Sequence, residues 1–246
     1  STGGASALDS FVATAASAGA RAAVTVPVIG WVAKDNRVSC GFPTSSFPSQ
    51  DSTDYWWPAC GNGQSGGSAL TPLAPTLTSK AFTTSDMTAM AAHLRASAPA
   101  GMAPMVYQLD NEPSLWNSTH RDVQPTAPTG AALFARSTAA ADAIVAGDAT
   151  ALVSGPGDWG WCAYFFFPKD GCGDGSDRAA NGSIDLGAAY LKAFHDHDVL
   201  VGHRTLAVLD EHFYPQGDGI ALTTAGDAAH QAARLRSTRA LWDPTY

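Results

Sequence analysis

The strongest constraint on the fold is a repeated alternation between apolar, strand-like segments and segments with helical periodicity. Short runs rich in Val, Ile and Leu predict strands over Ala22–Val32, Met105–Leu109, Ala151–Ser154 and Thr205–Tyr214. Apolar residues spaced three or four apart predict helices over Ala5–Gly19, Ser85–Ser97, Thr129–Ala146, Leu186–His197 and Thr224–Trp242. One helix followed by four strand–helix units predicts an α/β fold, in which outer helices cover a parallel sheet.

The connections are asymmetric, because long loops follow the strands and short links precede them. This asymmetry predicts a working face at the carboxyl ends of the strands, as in a (β/α)8 TIM-type barrel. A doubly wound sheet would also alternate, but no glycine-rich phosphate-binding loop follows the first strand. We therefore expect residues 1–246 to form a single domain, a partial barrel of about four βα units that is truncated at both ends. Such a sheet would have open edges at Ala22–Val32 and Thr205–Tyr214.

The most informative stretch is YQLDNEPSLW, residues 107–116. Pro113 cannot continue a central strand, so Glu112 falls at the strand's carboxyl end, beside Asn111 and Trp116. A carboxyl group, an amide and an indole suit sugar hydrolysis, because they supply a proton donor, a partner for hydroxyl groups and a stacking surface. The alternative is an ordinary strand-to-loop turn with an exposed Glu112.

Net charge and hydropathy limit the partners. A net charge of −8 argues against nucleic acid or an anionic membrane surface as partner. The sequence contains no apolar run of about 18 residues, so no membrane-spanning segment is expected. A neutral polysaccharide is compatible with this charge, and the seven tryptophans would fit sugar stacking if some lie in loops.

The four cysteines form two local pairs, Cys40 with Cys60 and Cys162 with Cys172. Neither pair has the spacing of a zinc site. We favour two disulfides that close loops in a secreted, extracellular protein, and free buried thiols are the alternative.

A second acidic strand end is LDEHFYP, residues 209–215. Strand alternation places Asp210, His212 and Tyr214 on one face and Glu211 on the other. His212 and Tyr214 are therefore candidates for positioning substrate or nucleophile, or alternatively for a hydrogen-bonded core pair. Glu211 is disfavoured as a nucleophile, because it would face a helix or a neighbouring loop.

Other chemistries have weaker support in the sequence. The run His195-Asp196-His197-Asp198 contains metal-ligand residue types, but adjacent residues on a helix do not converge, so a solvated helix end is favoured. A serine hydrolase would need a nucleophile elbow such as GxSxG, which the sequence lacks. We expect no metal and no cofactor.

The segment YQLDNEPSLWNSTHRDVQP (107–125) resembles the signature of glycoside hydrolase family 44 endoglucanases, which cleave β-1,4-glucans and xyloglucan with retention. Four further segments are similar to that family and occur in the right order: VIGWVAKD (28–35), SGPGDWGW (154–161), LDEHFYP (209–215) and TRALWDPTY (238–246). The resemblance implies that the chain supplies the third to sixth strands of the catalytic barrel. We expect the full-length enzyme to be a monomer.

The resemblance also implies roles for individual residues. Glu112 matches the general acid/base, and the residues expected to bind substrate are Asn111, His212, Tyr214, Trp31, Lys34, Trp116 and Trp159. The family's nucleophile is a Glu on the seventh strand, beyond Tyr246, so these 246 residues alone are expected to be inactive. Glu211 departs from the family pattern, which usually has a small apolar residue at this position.

Two other functions remain open from the sequence. A non-catalytic glycan-binding protein would need only the aromatic loops. A metal-assisted hydrolase would use His and Asp side chains, and a chelator would abolish its activity.

Overall fold

The structure, a computed structural model, describes residues 6–215, 217, 220–221 and 224–245. It contains two compact units, one that ends at Glu211 and one that begins at His212. None of the helices in the described part of the chain is long and apolar enough to cross a membrane.

The first unit holds a series of short strands and seven α-helices within its described residues. The strands are β1 (Ala23–Val26), β2 (Trp31–Ala33), β3 (Gln64–Ser65), β4 (Ser68–Ala69), β5 (Ser79–Ala81), β6 (Val106–Leu109), β7 (Leu152–Asp158) and β8 (Val208–Glu211). The helices are α1 (Ala7–Ser17), α2 (Thr84–Ser97), α3 (Trp116–Thr119), α4 (Gly130–Gly147), α5 (Gly160–Phe165), α6 (Ser176–Ala180) and α7 (Leu186–Val201). Three 3₁₀ turns cover Pro75–Leu77, Pro113–Leu115 and Pro168–Asp170.

Strands β1, β6, β7 and β8 form one parallel sheet in that order. Each consecutive pair is joined through helices, so the predicted parallel sheet with outer helices is confirmed. The first and last strands of the sheet, β1 and β8, are its edges.

The hydrophobic core lies on one face of this sheet. Alternate residues of β1 and β6, including Val24, Val26, Tyr107 and Leu109, are buried there. They belong to one cluster with apolar residues of three helices, namely Met87, Ala91 and Leu94 of α2, Leu133, Phe134, Ala140 and Ile144 of α4, and Leu186, Tyr190 and Phe194 of α7. The helices therefore cover one face of the sheet; on the other face, the intervening residues of β1 are exposed, whereas those of the central strand β7 are buried.

Three predicted strand boundaries are wrong. The predicted strand Ala22–Val32 ends as β1 at Val26, before Pro27, and Trp31–Ala33 instead pairs antiparallel with β5. The predicted strand Thr205–Tyr214 is regular only over β8. Strand β7 is longer than predicted, because it continues through Pro156 to Asp158. Proline cannot donate a hydrogen bond to a neighbouring strand, and the pairing of β7 with β8 shifts its register between Pro156 and Asp158.

Both predicted disulfides are present. Cys40–Cys60 closes part of the long segment between β2 and β5, and Cys162–Cys172 links α5 to the following loop; their Cα–Cα distances are 5.8 and 5.4 Å. Arg121 also holds the long segment, because its guanidinium donates to the carbonyls of Asn62 and Gly63, at 2.6 Å each. The segment is thus fixed to the loop after α3 as well as closed on itself.

The run His195–Asp198 does not converge on a shared site. His197 pairs with Asp142 of α4 at 2.9 Å, and the Asp198 carboxylate accepts from the Thr205 hydroxyl at 2.7 Å. These residues therefore act separately at the end of α7.

The second unit contains α8 (Ala228–Ser237) and a 3₁₀ turn over Thr238–Leu241. Asp227 caps α8 by accepting the N–H of His230 at 3.0 Å. The predicted helix over Thr224–Trp242 is therefore shorter in its α-helical part.

Packing between α2 and α4 gives a test of the core. A Cβ at Gly147 would lie 2.4 Å from the backbone oxygen of Thr88, which cannot move freely. Helix propensity favours alanine by about 1 kcal/mol, but the clash outweighs it, so Gly147→Ala should lower the free energy of unfolding by about 1–3 kcal/mol. Urea unfolding measures this change. The control is Gly173→Ala, where the new Cβ meets nothing within 4 Å; equal effects of the two substitutions would contradict the packing.

Candidate active site

Acidic side chains gather at the carboxyl ends of the three neighbouring strands β6, β7 and β8. They are Asp110, Glu112, Asp158, Asp210 and Glu211. The two glutamates among them are the only glutamates in the 246 residues. The carboxyl ends of the strands, predicted from loop lengths to form the working face, thus carry these five acidic side chains.

The backbone of Glu112 is left-handed, with φ of 48° and ψ of 59°. This conformation costs a non-glycine residue about 1 kcal/mol or more, so neighbouring structure must hold it. The Glu112 N–H donates to the carbonyl of Gly157 on β7 at 2.8 Å, and the Glu112 carbonyl accepts the N–H of Leu115 at 2.8 Å. These bonds fix the point from which the half-buried Glu112 side chain projects.

Asp110 holds the same turn from the other side. Its buried carboxylate accepts the N–H of Ile29 at 2.7 Å and that of Asn111 at 2.8 Å. Burial raises the pKa of Asp110, and these backbone donors oppose the rise. Asp110 is not among the predicted site residues, and its one signal in the sequence is an Asp directly after a buried strand.

Asp158 is completely buried at the end of β7. It accepts the N–H and the hydroxyl of Ser114, at 3.2 and 2.7 Å, and the N–H of Trp159 at 2.8 Å. Burial raises the pKa of Asp158 to about 6; these hydrogen bonds oppose the rise, and the charge of Glu112 adds to it. The charge of Glu112 therefore acts on Asp158, which is also not among the predicted site residues.

The prediction that Trp116 binds substrate is wrong. Its indole is fully buried, and the indole N–H donates to the carbonyl of Asn111 at 3.2 Å. The guanidinium of Arg136 lies 5.9 Å from the centre of its ring system. A buried ring has no face to offer a sugar, so Trp116 supports the turn rather than stacking on substrate.

The other predicted site residues occupy varied positions. Asn111 is exposed beside Glu112, and Trp31 on β2 is half-buried. Lys34 is exposed and donates to the carbonyl of Thr76 at 3.1 Å. Trp159 is half-buried and lines a cavity of about 160 Å³ together with Ser114. Substrate binding by these residues stays a prediction.

His212 and Tyr214 belong to the second unit. The Tyr214 hydroxyl lies 3.3 Å from His212 Nδ1, and the two rings meet edge to face with centroids 5.9 Å apart. Neither residue lies in a regular strand, contrary to the prediction, since β8 ends at Glu211.

Glu211 faces the helices, as strand alternation predicts. A Cβ added to Gly187 of α7 would lie 4.0 Å from Glu211 Oε1, whereas the neighbouring Asp210 accepts the Ser154 hydroxyl at 2.9 Å. Both carboxyl oxygens of Glu211 are buried, with no hydrogen-bond partner within the described part of the chain. Burial, and then the charges of Asp158 and Asp210, raise the pKa of Glu211 to about 8.

Curated relatives with similar sequences are endoglucanases. Endoglucanase A of Paenibacillus lautus is 34% identical over 144 residues, which are 57% of this chain and 20% of that protein. Beta-mannanase/endoglucanase A of Caldicellulosiruptor saccharolyticus is 33% identical over 159 residues, 61% of this chain and 11% of that protein. The chain therefore spans a small part of the curated relatives that it matches.

Solved structures agree with these sequence relatives. CelM2, a bifunctional glucanase-xylanase from a metagenome library, superposes with a TM-score of 0.84 at 34% identity, over 97% of this chain and 48% of CelM2. A Paenibacillus polymyxa xyloglucanase solved with xyloglucan gives a TM-score of 0.70 at 25% identity, over 97% of this chain and 45% of that one. The family model described as glycoside hydrolase family 44 matches residues 2–217. The chain therefore belongs to glycoside hydrolase family 44.

Proposed function

We propose that this chain is part of a retaining endoglucanase that cleaves internal β-1,4-glucosidic bonds of cellulose-like glucans or xyloglucan. The observation that carries the proposal is the position of Glu112 at the carboxyl end of β6, on a turn held by β7, in a member of family 44. A similar structure was solved with xyloglucan, which supports this class of substrate.

In the proposed mechanism, Glu112 first protonates the glycosidic oxygen of the leaving sugar. A second carboxylate, about 5 Å away in retaining enzymes, attacks the anomeric carbon and forms a glycosyl–enzyme. Glu112 then removes a proton from water. The water oxygen attacks the anomeric carbon, and the second carboxylate is released from the sugar. The exposed amide of Asn111 would bind sugar hydroxyls, and His212, Tyr214, Trp31, Lys34 and Trp159 are the further proposed substrate-binding residues.

We propose that the nucleophile lies outside these 246 residues. Glu211 is unsuited to the role, because both of its carboxyl oxygens are buried on the helix side of the sheet. The chain covers less than half of the solved relatives, which supports a domain made of about four βα units of a larger barrel. The two disulfides support secretion. We also propose that the full-length protein is a monomer and that neither nucleic acid nor membrane is its partner.

Glu211 makes stability depend on pH in a defined direction. The unfolded chain releases this proton near pH 4.5, whereas the folded chain retains it until about pH 8. The free energy of unfolding should therefore fall as pH rises from about 4.5 to 8, because the unfolded state binds fewer protons. Glu211→Gln should remove this loss, so the variant gains stability over the wild type through that window.

Urea unfolding at pH 4, 6 and 8 measures the effect. The control is Asp196→Asn on the exposed side of α7, which removes a surface pair with Lys192 and should change stability by less than about 1 kcal/mol at each pH. A constant difference between Glu211→Gln and wild type across the three pH values would contradict the burial of this carboxyl group.

The second candidate function is a non-catalytic glycan-binding protein. The observation that favours it is the strong exposure of three consecutive aromatic residues in the long segment after β2, namely Tyr55, Trp56 and Trp57. Binding of xyloglucan by the full-length protein without any release of reducing ends would support this function over hydrolysis.

Glu112→Gln in the full-length protein tests the catalytic proposal. Loss of a general acid/base should lower turnover of unactivated β-glucan by about 10²–10⁴-fold, because proton transfer to the leaving oxygen is lost. Release of reducing ends measures turnover, and affinity electrophoresis in xyloglucan checks that binding persists. Near-normal turnover by the variant would remove Glu112 from the proposed role.

A further inference from the structure

We propose that Asp158 is a positioning residue for Glu112, acting through the turn that follows β6. This inference rests on the proposed role of Glu112 as general acid/base. Asp158 is completely buried, so it acts on another residue of the protein rather than on substrate.

The contact between Asp158 and the turn after β6 arises because β7 is longer than its neighbour β6. Strands β6 and β7 pair in parallel from Val106 opposite Leu152 to Gln108 opposite Ser154. Strand β6 ends one residue later, but β7 continues to Asp158 and shifts its register with β8 between Pro156 and Asp158. On the side that faces β6, the last residues of β7 therefore bond to the turn after β6, while on the other side they still pair with β8.

The attachment has two points, on either side of Pro113. Before the proline, the Glu112 N–H donates to the carbonyl of Gly157 at 2.8 Å. After it, the N–H and hydroxyl of Ser114 donate to the Asp158 carboxylate, at 3.2 and 2.7 Å. A left-handed residue next to a proline has little backbone freedom, so fixing both neighbours of Pro113 fixes the direction of the Glu112 Cα–Cβ bond, from which the side chain starts.

A carboxylate at position 158 matches the donors around it. Three donors face Asp158, two from Ser114 and one from the N–H of Trp159, and a carboxylate can accept all three. Both N–H groups bond to Oδ1 and the Ser114 hydroxyl bonds to Oδ2. An asparagine could keep the two N–H bonds only by turning its NH₂ group toward the Ser114 hydroxyl, which would then accept instead of donate. The acidic groups whose charges affect Asp158 or are affected by it are Glu112 and Glu211, so the substitution would also remove a negative charge near Glu112.

Asp148 provides a matched control. It is also buried, and it accepts three donors: the N–H and hydroxyl of Thr150 at 2.9 and 2.7 Å, and the hydroxyl of Tyr107 at 3.2 Å. Asp148 lies before the first residue of β7, whereas Asp158 is the last residue of that strand. Asp148 is therefore at the amino ends of the strands, and Glu112 is at their carboxyl ends. Asp148→Asn therefore reproduces the loss of a buried carboxylate without disturbing the turn.

The test compares substrates with poor and good leaving groups in the full-length enzyme. Cleavage of unactivated xyloglucan needs a well-placed acid to protonate the leaving sugar. A dinitrophenyl β-cellobioside does not, because dinitrophenolate leaves without protonation. We expect Asp158→Asn to lower kcat/KM for xyloglucan at least tenfold and kcat/KM for the aryl substrate less than threefold. Asp148→Asn should lower the melting temperature but leave the ratio of the two kcat/KM values within twofold of wild type.

Two further variants make every outcome informative. Ser114→Ala removes one donor to Asp158 and should shift the ratio in the same direction, several-fold, even if Asp158→Asn fails to fold. Glu112→Gln separates the two proposals: an unchanged ratio in this variant would refute the role of Glu112 itself. If Glu112→Gln shifts the ratio but Asp158→Asn and Ser114→Ala behave like Asp148→Asn, only the positioning role of Asp158 is overturned.

Discussion

The bonds between the end of β7 and the turn after β6 are the interaction on which the site depends. Gly157 and Asp158 hold Glu112 and Ser114, while Asp110 at the end of β6 accepts the N–H of Ile29 from the segment after β1. The turn is thus attached on both sides, to the end of β7 and to the segment that follows β1, and β7 and β1 are the strands that flank β6 in the sheet. This double attachment supports a left-handed backbone that would be unfavourable in an isolated peptide.

Burial raises the pKa of three carboxyl groups at the carboxyl ends of β6, β7 and β8, but their hydrogen bonds differ. Asp110 and Asp158 receive backbone and hydroxyl donors, whereas the Glu211 oxygens have no hydrogen-bond partner in the described part of the chain. Unpaired burial favours the neutral acid, so burial raises the pKa of Glu211 to about 8 and that of the better-paired Asp158 only to about 6. The hydrogen bonds that position the turn therefore also keep Asp158 anionic near neutral pH.

The helices cover one face of the four-stranded sheet, and the intervening residues of β1 face away from them. In a closed barrel that second face would be interior, and the carboxyl ends of the strands would surround one pocket. The chain matches nearly its whole length to less than half of each solved relative described above. A four-stranded segment with two edges, β1 and β8, is consistent with its proposed place in a larger barrel.

By itself, the sequence determined the alternation of strands and helices, the parallel sheet, the two cysteine pairs and the position of Glu112 at a strand end. These features follow from local periodicity and from the inability of Pro113 to continue a strand. Only the tertiary structure decided that Trp116 is buried and that Asp158 bonds to Ser114, which is 44 residues away in the chain. Such contacts depend on strand register and strand length, and neither leaves a local signal when a strand such as β7 runs through glycine and proline.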